Sequence, residues 1–174
     1  MRTFSMHLLL VATWLLLSPQ RRLLDLLIGV ALGFLLLFLF QRVLRCEEYV
    51  RRTLAWMRFL GSFLRAFIGA NLAVAGIILF RNPATLQPGF VNFPTEGMSA
   101  WELILLSHAI SLTPGTTTVE ILDEGKSLRI HALEAESPER VRSEIDQLLR
   151  RPLLEASRCL DDPILKPAVL PPAS

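Results

Sequence analysis

Hydrophobic and polar positions give the chain two textures. Over the first eighty residues the apolar positions come in long blocks. Beyond Pro88 they recur every second or every third to fourth residue. Phe4–Leu17 is a short apolar run preceded by Arg2, and Leu23–Phe40 is a longer one with no charge from Leu26 onward. A signal peptide competes for the first run. However, the small residue Ser18 has Leu16 two positions before it and Pro19 after it, which is a poor cleavage pattern. Arg21 and Arg22 then lead straight into the second run, so a retained helical hairpin is expected. In the third block, Val50–Phe80, Arg51, Arg58 and Arg65 repeat at sevenfold spacing, with Ser62, Gly69 and Gly76 following the same step. On a helix this makes one polar or small stripe beside Trp56, Phe59, Leu60, Phe63, Phe67 and Ile68. Two readings stay open for it: an amphipathic helix in the membrane interface, which is preferred, or a third span, because Ala66–Phe80 is uncharged. Helices are expected at about residues 4–18, 23–43 and 50–80.

The second texture predicts a small α+β unit. Asn82-Pro83 and Pro88-Gly89 are turn signals, and Gly89–Phe93 is a short strand ended by Pro94. Ser99, with Glu102 three residues later, opens a helix with a capping box. That helix runs from Ala100 to Leu112, and Trp101, Ile104, Leu105, His108, Ala109 and Leu112 are expected on its packing face. Pro114 cannot continue it and pushes Thr113 out of the helical region, while Gly115 turns the chain at low steric cost. Thr116–Leu122 and Ser127–Leu133 read as a hairpin around Asp123-Glu124-Gly125-Lys126, with Leu128, Ile130 and Ala132 on one face. Ser137-Pro138-Glu139 starts a last helix. Val141, Ile145, Leu148 and Leu149 form its buried stripe, and Pro152 ends or kinks it.

The expected fold class is therefore membrane α plus a small α+β domain: a transmembrane hairpin, an amphipathic or third membrane helix, then β-α-β-β-α with both helices on one face of a three-stranded sheet. The membrane region covers 1–80, the cytoplasmic domain 81–158, and a proline-rich, disordered tail 159–174.

Charge sharpens this division. Up to Arg81 there are ten arginines against three acids, net +7, and the remainder is net −5. The arginines are interleaved with long apolar runs, so a lipid bilayer rather than nucleic acid is the expected partner of the basic half. Arg42, Arg45, Arg51, Arg52 and Arg58 follow the second run, against Arg21 and Arg22 before it. Its end near Arg42 is thus expected in the cytoplasm. Within that run Gly29 and Gly33 form a GxxxG pair that permits close approach of another helix. Asp25 is read either as a buried ionisable group or as an interfacial one paired with Arg21 or Arg22.

Chemistry is sparse. Cys46 and Cys159 have no metal-ligand spacing, and His7, His108 and His131 are scattered. No nucleophile elbow, phosphate loop or zinc-protease motif occurs, so neither an enzyme nor a cofactor is expected. The spans also carry too few ionisable groups for a transporter acting alone, which points to an accessory membrane subunit.

Several separate motifs then occur in order: Asp25-Leu26-Leu27-Ile28-Gly29, Pro88-Gly89, Pro94-Thr95, Trp101-Glu102-Leu103, Ile110-Ser111-Leu112-Thr113-Pro114-Gly115-Thr116 and Ile130-His131-Ala132. With these the chain resembles the E subunit of Mrp-type multisubunit monovalent cation/proton antiporters, from the first helix to about Ser157. The resemblance implies a complex in the bacterial cytoplasmic membrane that exchanges sodium, or in some members potassium, for protons. It also implies large many-span subunits that carry the ion path, other small membrane subunits, and an E subunit needed for assembly and full activity. It lays the family signature on Thr113, Pro114 and Gly115, with Trp101 and Glu102. The competing function is a stand-alone, membrane-anchored binding or regulatory module that recruits a soluble partner.

Overall fold

The computed structural model describes residues 2–19, 22–80 and 85–158, apart from the Arg2 side chain. It is mostly helical, with one small antiparallel sheet. It forms two compact units, Met1–Leu54 and Ala55–Ser174, and the boundary falls within one long helix.

The first unit contains α1 (Arg2–Leu17), α2 (Leu23–Leu39) and the start of α3 (Glu47–Phe80). α1 and α2 are antiparallel, because Trp14 meets Gly29 and His7 meets Gly33. A Cβ on Gly29 would lie 2.8 Å from Trp14 Cδ1, and one on Gly33 2.8 Å from His7 Cδ2. The glycines are what let the two helices close. α2 stops at Leu39, short of residue 43. The chain then turns through Arg45, whose φ of 52° is left-handed, and buries Cys46 beside Leu37 and Val50. α3 begins at Glu47, before residue 50, with Glu47 and Glu48 in its first turn, where acids suit the helix dipole.

The second unit holds the rest of α3, β1 (Gly89–Pro94), α4 (Ala100–Leu112), β2 (Thr116–Leu122), β3 (Ser127–Ala132), α5 (Pro138–Ile145) and α6 (Arg151–Arg158). The strand order is β1-β3-β2, all antiparallel. Leu128, Ile130 and Ala132 are buried on one face of β3, as the alternation predicts. With Phe93, Leu106, Ala109, Ile110, Ile145, Leu149 and Leu153, Leu128 and Ile130 form the core, which Ala55 and Phe59 of α3 also enter. Burying each large side chain here contributes about 1.5–3 kcal/mol. The β2–β3 turn is tight, with Asp123, Glu124 and Gly125 all at positive φ. A bulge between Thr118 and Glu120 sets Glu120 opposite Arg129, 3.1 Å away.

One expectation fails. The packing face of α4 is Glu102, Leu103, Leu106, Ala109 and Ile110, not the stripe through Trp101, Ile104, Leu105, His108, Ala109 and Leu112, of which only Ala109 is buried. The helix carries large apolar residues on its outward as well as its inward side, so spacing alone cannot choose a face. Pro152, read as an end or a kink, stands where the last helix is locally distorted and not ended. Asp146–Arg150 widens into a π turn and the chain continues as α6. Proline removes the N–H that would bond the carbonyl four residues back, which is that of Leu148. The Ser62 hydroxyl of α3 donates to that carbonyl instead, at 2.6 Å.

Candidate functional site

The signature turn is built by hydroxyls. α4 ends where Thr113 leaves the helical region, at φ −81° and ψ 121°. The Thr113 hydroxyl donates to the Ile110 carbonyl at 2.6 Å, and the Thr116 hydroxyl reaches the same oxygen at 3.0 Å. Pro114 follows. Gly115 sits at φ +91°, and a Cβ placed on it would lie 3.5 Å from Val74 of α3. The Gly115 carbonyl then accepts the Leu133 N–H at 2.8 Å. Thr113 is buried, so its hydroxyl is committed to closing the helix.

Trp101 and Glu102 divide their work at the other end of α4. Trp101 points outward, with its ring 6.3 Å from that of Trp56 of α3. Glu102 points inward and is 5% exposed. One carboxylate oxygen accepts the Ser99 N–H at 2.7 Å and the Ser99 hydroxyl at 2.8 Å. The other accepts the hydroxyl of Ser157 in α6. Burial pushes this carboxyl up, but the bonds from Ser157 and Ser99, with the Arg158 charge nearby, outweigh it and hold the pKa below the ordinary carboxylate range. Glu102 therefore fastens α4 to α6.

The turn and α3 frame a groove of about 570 Å³. Arg65, Gly69 and Ala73 of α3 line one side, Thr113–Thr116 one end, and α5 the other side. Arg140 and Glu144 of α5, also on the lining, pair at 3.1 Å. Arg65 and the signature turn, remote in sequence, are thus brought together. Arg58 is exposed on the outside of α3.

In the first unit Gly29 and Gly33 face α1. Asp25 accepts the backbone N–H of Arg22 at 2.8 Å and so caps α2 at its third residue; Arg21 lies outside the described residues. Arg51 is exposed on the first turns of α3. Sequence reasoning passed over the group that ties this unit together. His7 Nε2 lies 3.0 Å from the Val30 carbonyl, which only accepts, so Nε2 carries the hydrogen. Nδ1 lies 2.6 Å from the Tyr49 hydroxyl. One imidazole thereby joins α1, α2 and α3. The only signal in the sequence was a polar residue inside an apolar run, with nothing to name partners 23 and 42 positions away. Among the described residues no group of three or more His, Cys, Asp or Glu side chains could hold a metal.

The His7, Tyr49, Glu102 and Ser157 side chains bind helices to one another. The model of the Na+/H+ ion antiporter subunit family matches residues 7–156, which takes in the hairpin, α3 and the sheet unit. The Na+/H+ antiporter E subunit of Alkalihalophilus pseudofirmus is 33% identical over 153 residues, 88% of this chain and 96% of that protein. The chain belongs to the E-subunit family of Mrp-type Na+/H+ antiporters. The family member from Bacillus subtilis is 29% identical over 153 residues, 88% of this chain and 96% of that one. A chain in the Mrp complex from Dietzia sp. DQ12-45-1b is 30% identical, with a TM-score of 0.40 over 55% of this chain and 87% of that one. As an E-subunit family member, the chain is a component of a cation/proton antiporter and a membrane protein.

Proposed function

We propose that this chain is an accessory subunit of a multisubunit sodium or potassium/proton antiporter, supporting assembly and activity of the large ion-translocating subunits without carrying the ion path. The observation that carries this reading is the E-subunit relationship over both units, joined to a structure in which His7, Ser62 and Glu102 are bonded from one helix to another. Its partners are the other large and small subunits and the lipid bilayer.

In this reading α1 and α2 form a hairpin across the bacterial cytoplasmic membrane. At about 1.5 Å per residue each is about 25 Å long, short for an apolar core of about 30 Å, so flanking residues or a partner complete the span. α3, 34 residues long and the one helix among the described residues with the length and apolar character to cross a membrane, lies instead in the cytoplasmic interface. What supports this is that Ala55 and Phe59 enter the core of the sheet unit, which gives one side of the helix to protein. The arginine excess after α2 supports a cytoplasmic sheet unit. The membrane region is then 1–80 and the cytoplasmic domain 81–158, with α3 serving both. Thr113, Pro114, Gly115, Trp101, Arg51, Arg58 and Arg65 are subunit or membrane contacts, while Gly29, Gly33, Asp25 and Glu102 hold the chain in shape for them.

The test is antiport in everted vesicles from cells lacking this chain, with and without its re-expression. Restored activity together with restored recovery of the large subunits is expected. Full activity and full assembly without the chain would overturn the proposal.

A further inference from the structure

We infer that the outer face of α4 is a lipid-contacting surface, which anchors the sheet unit to the membrane interface beside α3. The inference rests on the interfacial placement of α3 proposed above.

α4 has one charged residue, Glu102, and it is turned inward. Its outward side chains are Trp101 (44% exposed), Ile104 (53%) and Leu112 (61%), with His108 among them. A charge-free apolar face of this kind needs a cover. The helix is 13 residues long, about 20 Å at 1.5 Å per residue, too short to span a bilayer.

Two contacts place this face beside α3. Trp101, at the start of α4, meets Trp56. Gly115, just past its end, faces Val74. Trp56 and Val74 are five turns apart on α3 at about 3.6 residues per turn, so both sit on one line along that helix. α4 therefore runs alongside α3. The line lies between the core-facing side of α3 and its apolar flank, where Leu60, Leu64 and Phe67 are exposed. The arginine stripe lies on the far flank, because Arg58 and Arg65 fall about 160° or more around the helix from Trp56 at about 100° per residue.

The opposite edge of α4 is polar and turned to the sheet. The Ser111 hydroxyl accepts the Thr118 N–H at 3.1 Å, and the Ser107 carbonyl accepts the Thr118 hydroxyl at 3.3 Å. The outward face of α4 thus continues the apolar flank of α3 with no charge between them. The two indoles at the seam are the side chains that favour a membrane–water boundary. A lipid surface fits this continuity, because the same boundary that receives the flank of α3 receives α4.

The experiment uses the full chain in its purified complex, reconstituted in phosphatidylethanolamine/phosphatidylglycerol nanodiscs, with Cys46 and Cys159 replaced by alanine. Spin labels are placed singly at Ile104→Cys and Leu112→Cys, both at already exposed positions. Leu60→Cys serves as the α3 reference and Glu120→Cys as the water-facing one. Collision with oxygen and with a water-soluble nickel chelate is measured at each. The expected result is that labels at 104 and 112 collide more with oxygen than with nickel, as at 60, while 120 shows the reverse. Nickel access at 104 and 112 with oxygen preference kept at 60 would overturn the inference and leave the placement of α3 standing. Exclusion of both reagents at 104 and 112 would also overturn it, by showing a protein cover. Nickel preference at 60 would remove the placement of α3 and the inference with it.

Discussion

Glu102 links the stability of the sheet unit to pH. Its carboxylate is buried, accepts three hydrogen bonds and has a lowered pKa. A group with a depressed folded-state pKa contributes stability that is present above its unfolded pKa and lost as pH falls through the folded one. Glu102→Gln should therefore cost about 1–3 kcal/mol at neutral pH and flatten the acid limb of stability, measured by thermal unfolding of the detergent-solubilised chain against pH. An unchanged acid limb would show that the carboxylate is not linked to folding. Glu102 was legible as a cap from its spacing after Ser99, because capping is local. Its bond to Ser157, 55 residues on, was not, since no sequence rule pairs a cap with a distant serine. His7 and Tyr49 were hidden for the same reason.

At the scale of elements, local chemistry predicted most of the structure and tertiary contacts decided the remainder. Strands with strict alternation, such as β3, revealed their buried face. α4 did not, because apolar residues stand on both its inward and outward sides and only the fold decides which five face inward. Pro152 read as an end or a kink because its cost is local, and the fold decides for the second: the π turn and the Ser62 hydroxyl carry the helix past it. Ser62→Ala should remove the hydrogen bond to the Leu148 carbonyl and cost about 1–3 kcal/mol. With Pro152→Ala restoring an N–H, the same change should cost less. A double-mutant cycle in denaturant measures the difference, and strict additivity would contradict the pairing. The GxxxG pair makes a second expectation. Gly29→Ile, which puts branched carbon into Trp14, should destabilise the α1–α2 hairpin by about 1–3 kcal/mol, whereas Gly61→Ile, at a glycine with open space beside it, should cost less in the same unfolding assay.

For the whole molecule, the pattern is one of fastening. The hairpin closes on glycines, a single imidazole joins three helices, and the signature Thr-Pro-Gly turn closes α4 on itself while meeting α3. Pro114→Ala should lower antiport by reducing the recovery of assembled complex, with cation preference unchanged. Normal assembly with an altered sodium/potassium ratio would place the turn in the ion path and contradict its structural role. The accessory role proposed for the chain follows, in the sequence, from spans with few ionisable groups, but no pattern within one chain states what covers its exposed apolar faces. Affinity purification of the tagged full chain from its native membranes, followed by mass spectrometry of what comes with it, tests the central claim most directly. The account predicts large many-span antiporter subunits together with small membrane subunits. Recovery of the chain without any many-span partner, or with a soluble protein in their place, would contradict it and favour a stand-alone membrane-anchored module.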